Sequence, residues 1–338
     1  MIFFTHHTMK VVVISGGTAT NNIIEEFLPS NKDDKLTFIL PVSDNGGSSG
    51  ELQRIFGGFS IGDIRSRLVR LMTNESIQEI LMHRLSNDEI EARKEWERII
   101  NDSEIDIIIR SFLNFMDVQI NGSDMKLARA SIGNMFLFGC KMIMGMKEAI
   151  ELMNKIGGIP NNIHVYGCTY EDVNIYAKLA NGKVIIGQSE ISHPVEGNSQ
   201  LMIDKECEIP LESPIKEVGY VKEEGEGEGE GEDFKFANDE TLHAIEEADT
   251  IVYSIGSLWT SIVPVLITKG ISERIRRDQR KILLVNGWPD RETSGMNRED
   301  YKNTIAQALD KRVDECIDIV VDPLIESIRG SIYNNNPQ

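Results

Sequence analysis

The sequence predicts an α/β fold, a doubly wound and mostly parallel sheet with a helical insertion and an inserted β-hairpin. Three observations lead there. Short apolar runs such as Val11-Val12-Val13-Ile14 and Leu36 to Val42 lack polar alternation, as strands buried on both faces require. Residues 62 to 117 repeat apolar side chains at helical spacing, with Ile105, Ile108, Ile109, Phe112, Leu113 and Met116 on one face. Strand-like and helix-like segments then alternate again towards the C-terminal end.

Taken in order, the strand at Val11–Ile14 flows into Ser15-Gly16-Gly17-Thr18, and a helix is expected from about Thr18 to Leu28. With the strand Leu36 to Val42 this spacing suits a βαβ unit with a right-handed crossover. The stretch Asn87 to Arg98 is charged on most faces and is expected at the surface, whereas Asn134 to Met153 reads as a core helix. A strand at Ile163–Tyr166 precedes a hairpin, Val173 to Ala180 and Lys183 to Ile191, turning at Asn181-Gly182, the strongest short hairpin signal. Ile215 to Val221 adds a strand. Helices over about Asp239–Ala248, Leu258–Thr268 and Asp300–Asp314 then alternate with strands at Thr250–Ser254, Ile282–Val285 and Ile317–Val321. Residues 10–322 are read as one Rossmann-like domain, with residues 1–9 and 330–338 as flexible ends.

Composition narrows the function. The net charge of −19 argues against a nucleic-acid partner, because neutralising a phosphate backbone needs clustered Lys and Arg. Part of that charge is local, since Glu223 to Asp233 alternates Glu and Gly, and 222–233 is expected to be a solvated, disordered loop. Hydrophobic residues at 41% support a real core, and no apolar run reaches the roughly 18 residues of a membrane span. Cys140, Cys168, Cys207 and Cys316 are dispersed, which fits buried thiols in a reducing, cytoplasmic compartment and no zinc site. No H-E-x-x-H occurs, so a histidine metal site is not supported, and no serine triad is read.

Chemistry is expected in loops at strand ends. Ser15-Gly16-Gly17-Thr18 could present backbone N–H groups and a helix dipole to a phosphate, or be a plain strand–helix turn. It matches neither the GxGxxG fingerprint nor a P-loop. Asp44-Asn45-Gly46-Gly47-Ser48-Ser49-Gly50 after the second strand reads as an anion-holding nest, with Asp44 able to hold a hydroxyl or a hydrated divalent cation. In Gly62-Asp63-Ile64-Arg65 the carboxylate and guanidinium could address one polar ligand, or cap and flank a helix. Arg67 and Arg70 are expected in surface pairs. Ser131-Ile132-Gly133-Asn134 opens the long apolar helix, with Ser131 a cap and Asn134 able to donate and accept. Gly256-Ser257-Leu258-Trp259-Thr260-Ser261 offers a second phosphate-type cradle, with Trp259 in the core.

In this order the loops resemble the CofD/YvcK family, whose pattern is a Gly-Gly-Thr turn, an Asp-[Asp/Asn]-Gly-Gly-Ser-Ser-Gly loop, Gly-Asp-Ile-Arg, Ser-[Ile/Leu]-Gly-Asn and Gly-Ser-Leu-[Tyr/Trp]-Thr-Ser. The resemblance spans roughly residues 10 to 320 and also covers Gly187-Gln188-Ser189. The sequence departs from the bacterial pattern at Ala130, at Ser254-Ile255 and over Gly287 to Thr293, and suggests a separate, divergent branch. The resemblance implies a 2-phospho-L-lactate transferase, moving a phospholactyl-type group from a guanylate-linked donor to a hydroxyl with Mg2+. The alternative it implies is a UDP-sugar-binding regulatory factor of carbon metabolism, a gluconeogenesis factor without turnover. In the first reading Asp44, Asn45, Asp63 and Arg65 are catalytic, and Asp44 and Asp63 hold Mg2+. Gly16, Gly17, Thr18, Gly46, Gly47, Ser48, Ser49, Ser131, Asn134, Gly256, Ser257 and Thr260 then hold the ligand and its phosphates. The partner is a nucleotide or nucleotide-sugar small molecule, not a membrane, and the resemblance implies a homodimer or higher assembly.

Overall fold

A computed structural model of the protein describes residues 8–192, 210–221, 235–287, 290–323 and 327–333. The expected Glu-Gly loop at 222–233 lies outside them, as do residues 1–7 and 334–338 of the expected flexible ends.

Strands β1 (Lys10–Ile14) and β2 (Lys35–Leu40) come first. A helical stretch follows, made of α1 (Gly47–Phe56), α2 (Gly62–Leu71), α3 (Glu75–Met82), α4 (Glu89–Asn101), α5 (Ile107–Ile120), α6 (Ile132–Met144) and α7 (Met146–Gly157). After β3 (Ile163–Gly167) come β4 (Ile175–Leu179), β5 (Val184–Ile186), the short helix α8 (Gln188–Ser192) and β6 (Ile215–Tyr220). The remainder alternates through α9 (Asp239–Glu247), β7 (Thr250–Tyr253), α10 (Val263–Leu266), α11 (Ile271–Arg274) and β8 (Arg280–Leu284). It closes with α12 (Arg298–Ala308), α13 (Val313–Cys316), β9 (Ile319–Val321) and α14 (Ile328–Tyr333). Contacts gather these elements into two compact units, one of Met1–Pro41, Asn162–Thr169 and Asn174–Gln338, the other of Val42–Asn161 and Tyr170–Val173.

In the first unit six strands pair in the order β3-β2-β1-β7-β8-β9, and every pairing is parallel. Val13 lies opposite both Phe38 and Val252, and all three side chains are buried. The β-branched runs are therefore apolar on both faces because both faces are covered. Strand order runs outward from β1 to β3 on one side and from β7 to β9 on the other. Open α/β sheets bind ligands beyond the carboxyl ends of the strands at such a reversal, here β1 and β7. The predicted hairpin forms, with β4 antiparallel to both β5 and β6 in a separate sheet, although β5 ends at Ile186 and the chain turns into α8.

The second unit is helical. Helix α6 is buried from Ile132 through Cys140, and α2, α3, α5 and α7 pack on it. An apolar surface all round requires that central position. On α5, Ile109, Leu113, Met116 and Ile120 are buried, while Ile108, expected on the same face, is exposed at the first turn.

Four local expectations are corrected. The helix expected from Thr18 is a 3-10 run, Thr20–Glu26, kinked at Ile23, because Asn21 and Asn22 favour turns and Ala19 supplies no side-chain cap. The helix expected from Asn134 to Met153 is two, broken at Gly145 with φ 88 and ψ 167. Leu258–Ile262 forms a π-turn before α10, since Pro264 has no N–H to continue a regular α-helix. Arg67, expected at the surface, is fully buried inside the helical unit, and Asp63 opposes the cost of burying its charge. Gly145 occupies a backbone region essentially closed to other residues, so Gly145→Ala should cost about 1–3 kcal/mol. Urea denaturation checks this, and a loss within the roughly 0.5 kcal/mol of a neutral surface change would contradict it.

Candidate functional site

The first unit gathers polar groups at the reversal of strand order. Ser15 N–H bonds to the Ile39 carbonyl and Ser254 N–H to the Ile14 carbonyl, so the loops after β1 and β7 continue the sheet side by side. Thr20 Oγ1 lies 3.0 Å from Ser254 Oγ and donates to the Ile255 carbonyl at 2.9 Å. A Cβ on Gly16 would meet Ser261 Oγ at 2.6 Å, and one on Gly256 would lie 3.7 Å from Gly16 N. Thus Gly16 and Gly256, predicted from separate motifs, are neighbours; Gly17 is buried and Thr18 is exposed. Asn286, just beyond β8, clamps Gly256 through both of its backbone groups, accepting from Gly256 N at 3.0 Å and donating to Gly256 O at 2.7 Å.

The hydroxyls of the predicted second cradle are engaged by one carboxylate. Glu292 accepts from the hydroxyl of Ser257, from Thr260 Oγ1 at 2.8 Å, from Thr260 N at 3.1 Å and from Ser192 Oγ at 2.5 Å. Burial and the neighbouring Asp290 charge push its carboxyl up to about 7, against the pull of those hydroxyls. A carboxylate here sits where the N-terminal end of a helical turn would receive a phosphate. Sequence reasoning missed Glu292 because its partners Ser192, Ser257 and Thr260 stand 100, 35 and 32 residues away. Only its place in the Gly287 to Thr293 stretch marked it. Asn286 had no signal at all.

The second unit brings together Asp44, Ser48, Ser49, Arg65, Ser131 and Asn134. The predicted Asp44–Gly50 nest is the entry to α1, with Gly46 as its N-cap and Gly47, Ser48 and Ser49 in its first turn. Asp44 Oδ1 accepts from Gly46 N at 3.0 Å. Helix α2 begins against the same carboxylate, since a Cβ on Gly62 would lie 2.7 Å from Asp44 Oδ2. That approach requires glycine. Ser131 caps α6 through Asn134 N, and Ser131 N donates to Ser48 Oγ at 3.2 Å. Asn134 then ties the cluster together: Oδ1 accepts from Arg65 Nε at 2.7 Å, and Nδ2 donates to Ser48 Oγ at 3.0 Å and Ser49 Oγ at 3.2 Å.

Electrostatics here oppose one another. Burial raises the Asp44 carboxyl above its ordinary value, while Gly46 N–H, Ser49 and the Arg65 and Arg84 charges pull it back without cancelling the rise. Burial lowers the Arg65 guanidinium to about 10, helped by Arg84 and resisted by Asp63 and Asp44. Asn45 and Gly47 are exposed, whereas Ser48 and Ser49 are buried. Arg84, which lies opposite Ser131 in an isolated antiparallel bridge, had no motif to announce it.

Among the described residues no group of three or more His, Cys, Asp and Glu is placed to hold a metal ion. Mg2+ commonly takes one or two carboxylates and completes its shell from water and ligand phosphates. Asp44 fits that role. Asp63 sits in the fields of Arg65 and Arg67 and counterbalances them. Among the described residues no helix is long and apolar enough to cross a membrane.

Comparison with known proteins identifies a family over most of the chain. The family model described as 2-phospho-L-lactate transferase CofD matches residues 11–332. An uncharacterised protein of Saccharomyces cerevisiae is 34% identical, covering 90% of this chain and 84% of its own length. A gluconeogenesis factor of Halalkalibacterium halodurans is 24% identical over 95% of this chain and 80% of its own length. For a Clostridium acetobutylicum relative, 26% identical over 90% of this chain, the match spans 54% of the relative's length. A crystal structure of a UPF0052-family protein from Bacillus halodurans shares the fold, with a TM-score of 0.66 at 23% identity, covering 93% of this chain and 80% of that one.

The raised Glu292 carboxyl predicts a pH effect. Its folded value of about 7 exceeds the ordinary 4.5, so folding takes up a proton between the two, and this contribution is full below about 4.5 and is lost as pH rises through about 7. Thermal melts at about pH 5 and pH 8 should show a larger stability loss in wild type than in Glu292→Gln. Identical slopes would refute the assignment.

Proposed function

Because this chain belongs to the CofD family, we propose that it binds a phosphorylated nucleotide-type ligand and transfers a phosphoryl-linked group to a hydroxyl acceptor. The observation that carries this reading is Asp44, a carboxylate with a raised pKa set against the first turns of α1 and α2 and beside Arg65. A base works best when its pKa approaches the operating pH, and burial moves Asp44 in that direction. In the proposed step the acceptor hydroxyl gives its proton to Asp44 as its oxygen bonds to phosphorus. The bond from phosphorus to the guanylate-type leaving group breaks, and the electron pair leaves with that group's oxygen. Arg65, fixed by Asn134, and the exposed Asn45 steady the charge on the phosphoryl oxygens. Asp63 keeps Arg65 and Arg67 charged, and Ser48 and Ser49 shape the floor. If Asp44 holds Mg2+ and not the acceptor hydroxyl, the metal would supply charge neutralisation on the transferring group and Asp44 would not act as the base.

In the first unit the loops at Gly16, Gly17, Thr18, Gly256, Ser257 and Thr260 are proposed to hold nucleotide phosphates. A second reading draws on Glu292: because it already occupies the Ser257 and Thr260 hydroxyls, an incoming phosphate must displace it. Such exchange suits a nucleotide-sugar-binding regulator that responds by conformational change; the Halalkalibacterium halodurans relative is named a gluconeogenesis factor.

Thermal-shift screening of GDP, GTP, UDP and UDP-sugars, with and without Mg2+, tests both readings. A ligand at about 100 times its Kd should add about 2.7 kcal/mol of stability. If no nucleotide stabilises the protein, both readings fail. With a guanylate-linked phospholactyl donor and a hydroxyl acceptor, Asp44→Asn should lower turnover by about 10²–10⁴-fold and still bind nucleotide. A fully active variant would eliminate Asp44 as the base, and absence of turnover in a nucleotide-binding wild type would favour the regulator.

A further inference from the structure

We propose that Lys141 is an acyl-accepting lysine: its amine, set on the faces of Phe59 and Phe138 beside Gly58, takes a small acyl group from an acyl phosphate, and the acylated side chain releases the loop between α1 and α2. The inference goes beyond the proposed function and does not rest on it.

Lys141 lies in the last turn of α6, where a lysine commonly extends towards water and the helix dipole. Here its Nζ stands 3.9 Å from the centroid of the Phe59 ring and 4.9 Å from that of Phe138. Phe59 stacks on Tyr170 at 5.5 Å, and Phe138 meets Phe56 at 5.5 Å, so the ammonium rests on an aromatic cluster. Among the described residues none accepts a hydrogen bond from Nζ, and the side chain is half-buried, not sealed from water. Ring faces favour the charged form and leave its N–H bonds without acceptors in the protein.

Backbone closes in as well. A Cβ on Gly58 would lie 2.9 Å from Lys141 Nζ, and Gly58 has φ 85, so any larger residue would be strained there and would crowd the amine. Gly58 is fixed by two side chains: Gln53 Nε2 donates to its carbonyl at 3.1 Å, and Asp172 Oδ2 accepts from its N–H at 3.1 Å. Asp172 is also the charged group whose field reaches Lys141. It favours the ammonium, yet burial outweighs it and lowers the amine to about 8. A substantial neutral fraction is therefore present near that pH, and the neutral amine is the nucleophile.

In the proposed step the Nζ lone pair bonds to the acyl carbon. The bond from that carbon to the phosphate oxygen breaks, phosphate leaves with the electron pair, and the surplus proton on nitrogen passes to water. The amide product carries no charge, so the cation–π contact ends. The acyl group also needs space that the Gly58 backbone borders. Movement of that loop is felt at Asp44, because Ser60 N bonds to Val42 O at 3.0 Å, Gly62 N donates to Ser60 Oγ at 3.3 Å, and Gly62 packs on the Asp44 carboxylate.

The test incubates the full chain with acetyl phosphate and quantifies acetylation of each lysine by peptide mass spectrometry. Lys94 is the internal control, an exposed lysine whose ammonium donates to Glu91 at 2.8 Å and is kept charged by it. At about pH 8 Lys141 should be acetylated at least about tenfold faster than Lys94, and its rate should level off above about pH 9 while that of Lys94 keeps rising. Treated wild type should melt below untreated wild type, and Lys141→Arg, which keeps a cation on the rings, should show no such drop. Labelling of Lys141 no faster than Lys94, or the same drop in melting for treated Lys141→Arg, overturns the proposal. The labelling comparison is made within the wild-type chain and stands even if the variant folds poorly.

Discussion

A guanidinium taken out of water must keep acceptors, and in the helical unit that requirement falls on Asn134. Its carbonyl oxygen takes the Arg65 Nε–H, and its amide donates to Ser48 and Ser49. An aspartate there would satisfy Arg65 and lose both donations, and a leucine would leave the guanidinium without this acceptor. The amide also links the first turn of α1, the middle of α2 and the first turn of α6. Asp44 is held through these same pieces, by Gly46 N–H and the close approach of Gly62. The raised Asp44 carboxyl and lowered Arg65 guanidinium share one cause: both groups are buried away from water, which disfavours their charged forms.

The parallel sheet imposes a different constraint on its own unit. Six parallel strands reverse order at β1 and β7, and the loops there present mainly backbone and hydroxyl groups to one another. Glu292 is the exception. Its buried carboxylate would be costly alone, yet the Ser192, Ser257 and Thr260 hydroxyls and the Thr260 N–H surround it. The arrangement resembles an anion held in the cradle.

Much of the fold was legible in the residues. The runs at Val11–Ile14, Leu36 to Val42 and Thr250–Ser254 are apolar enough to be nothing but buried strands, and each is one. Asn181-Gly182 marked its hairpin, and Gly182 has the positive φ that turn chemistry expects. Failures fell where local rules compete. Gly145 lies inside an unbroken apolar pattern, and periodicity cannot register a backbone that leaves the helix for one residue. Arg67 looked like a surface residue because helical position alone does not say whether a charged side chain will be packed inside the helical unit.

By itself the sequence determined the doubly wound α/β plan, the helical insertion and the loops that hold polar groups at strand ends. Those properties follow from hydrophobic period, glycine placement and short-range turn chemistry, which act over a few residues. Tertiary structure alone decided that Gly16 lies beside Gly256, that Glu292 reaches the Ser257 and Thr260 hydroxyls, and that Asn134 reaches Arg65, Ser48 and Ser49. These pairings join residues tens to hundreds of positions apart, and only strand order and helix packing bring them within hydrogen-bonding or Coulombic range. The pKa shifts belong to the second class as well, since they arise from burial and charge neighbours that no local motif encodes.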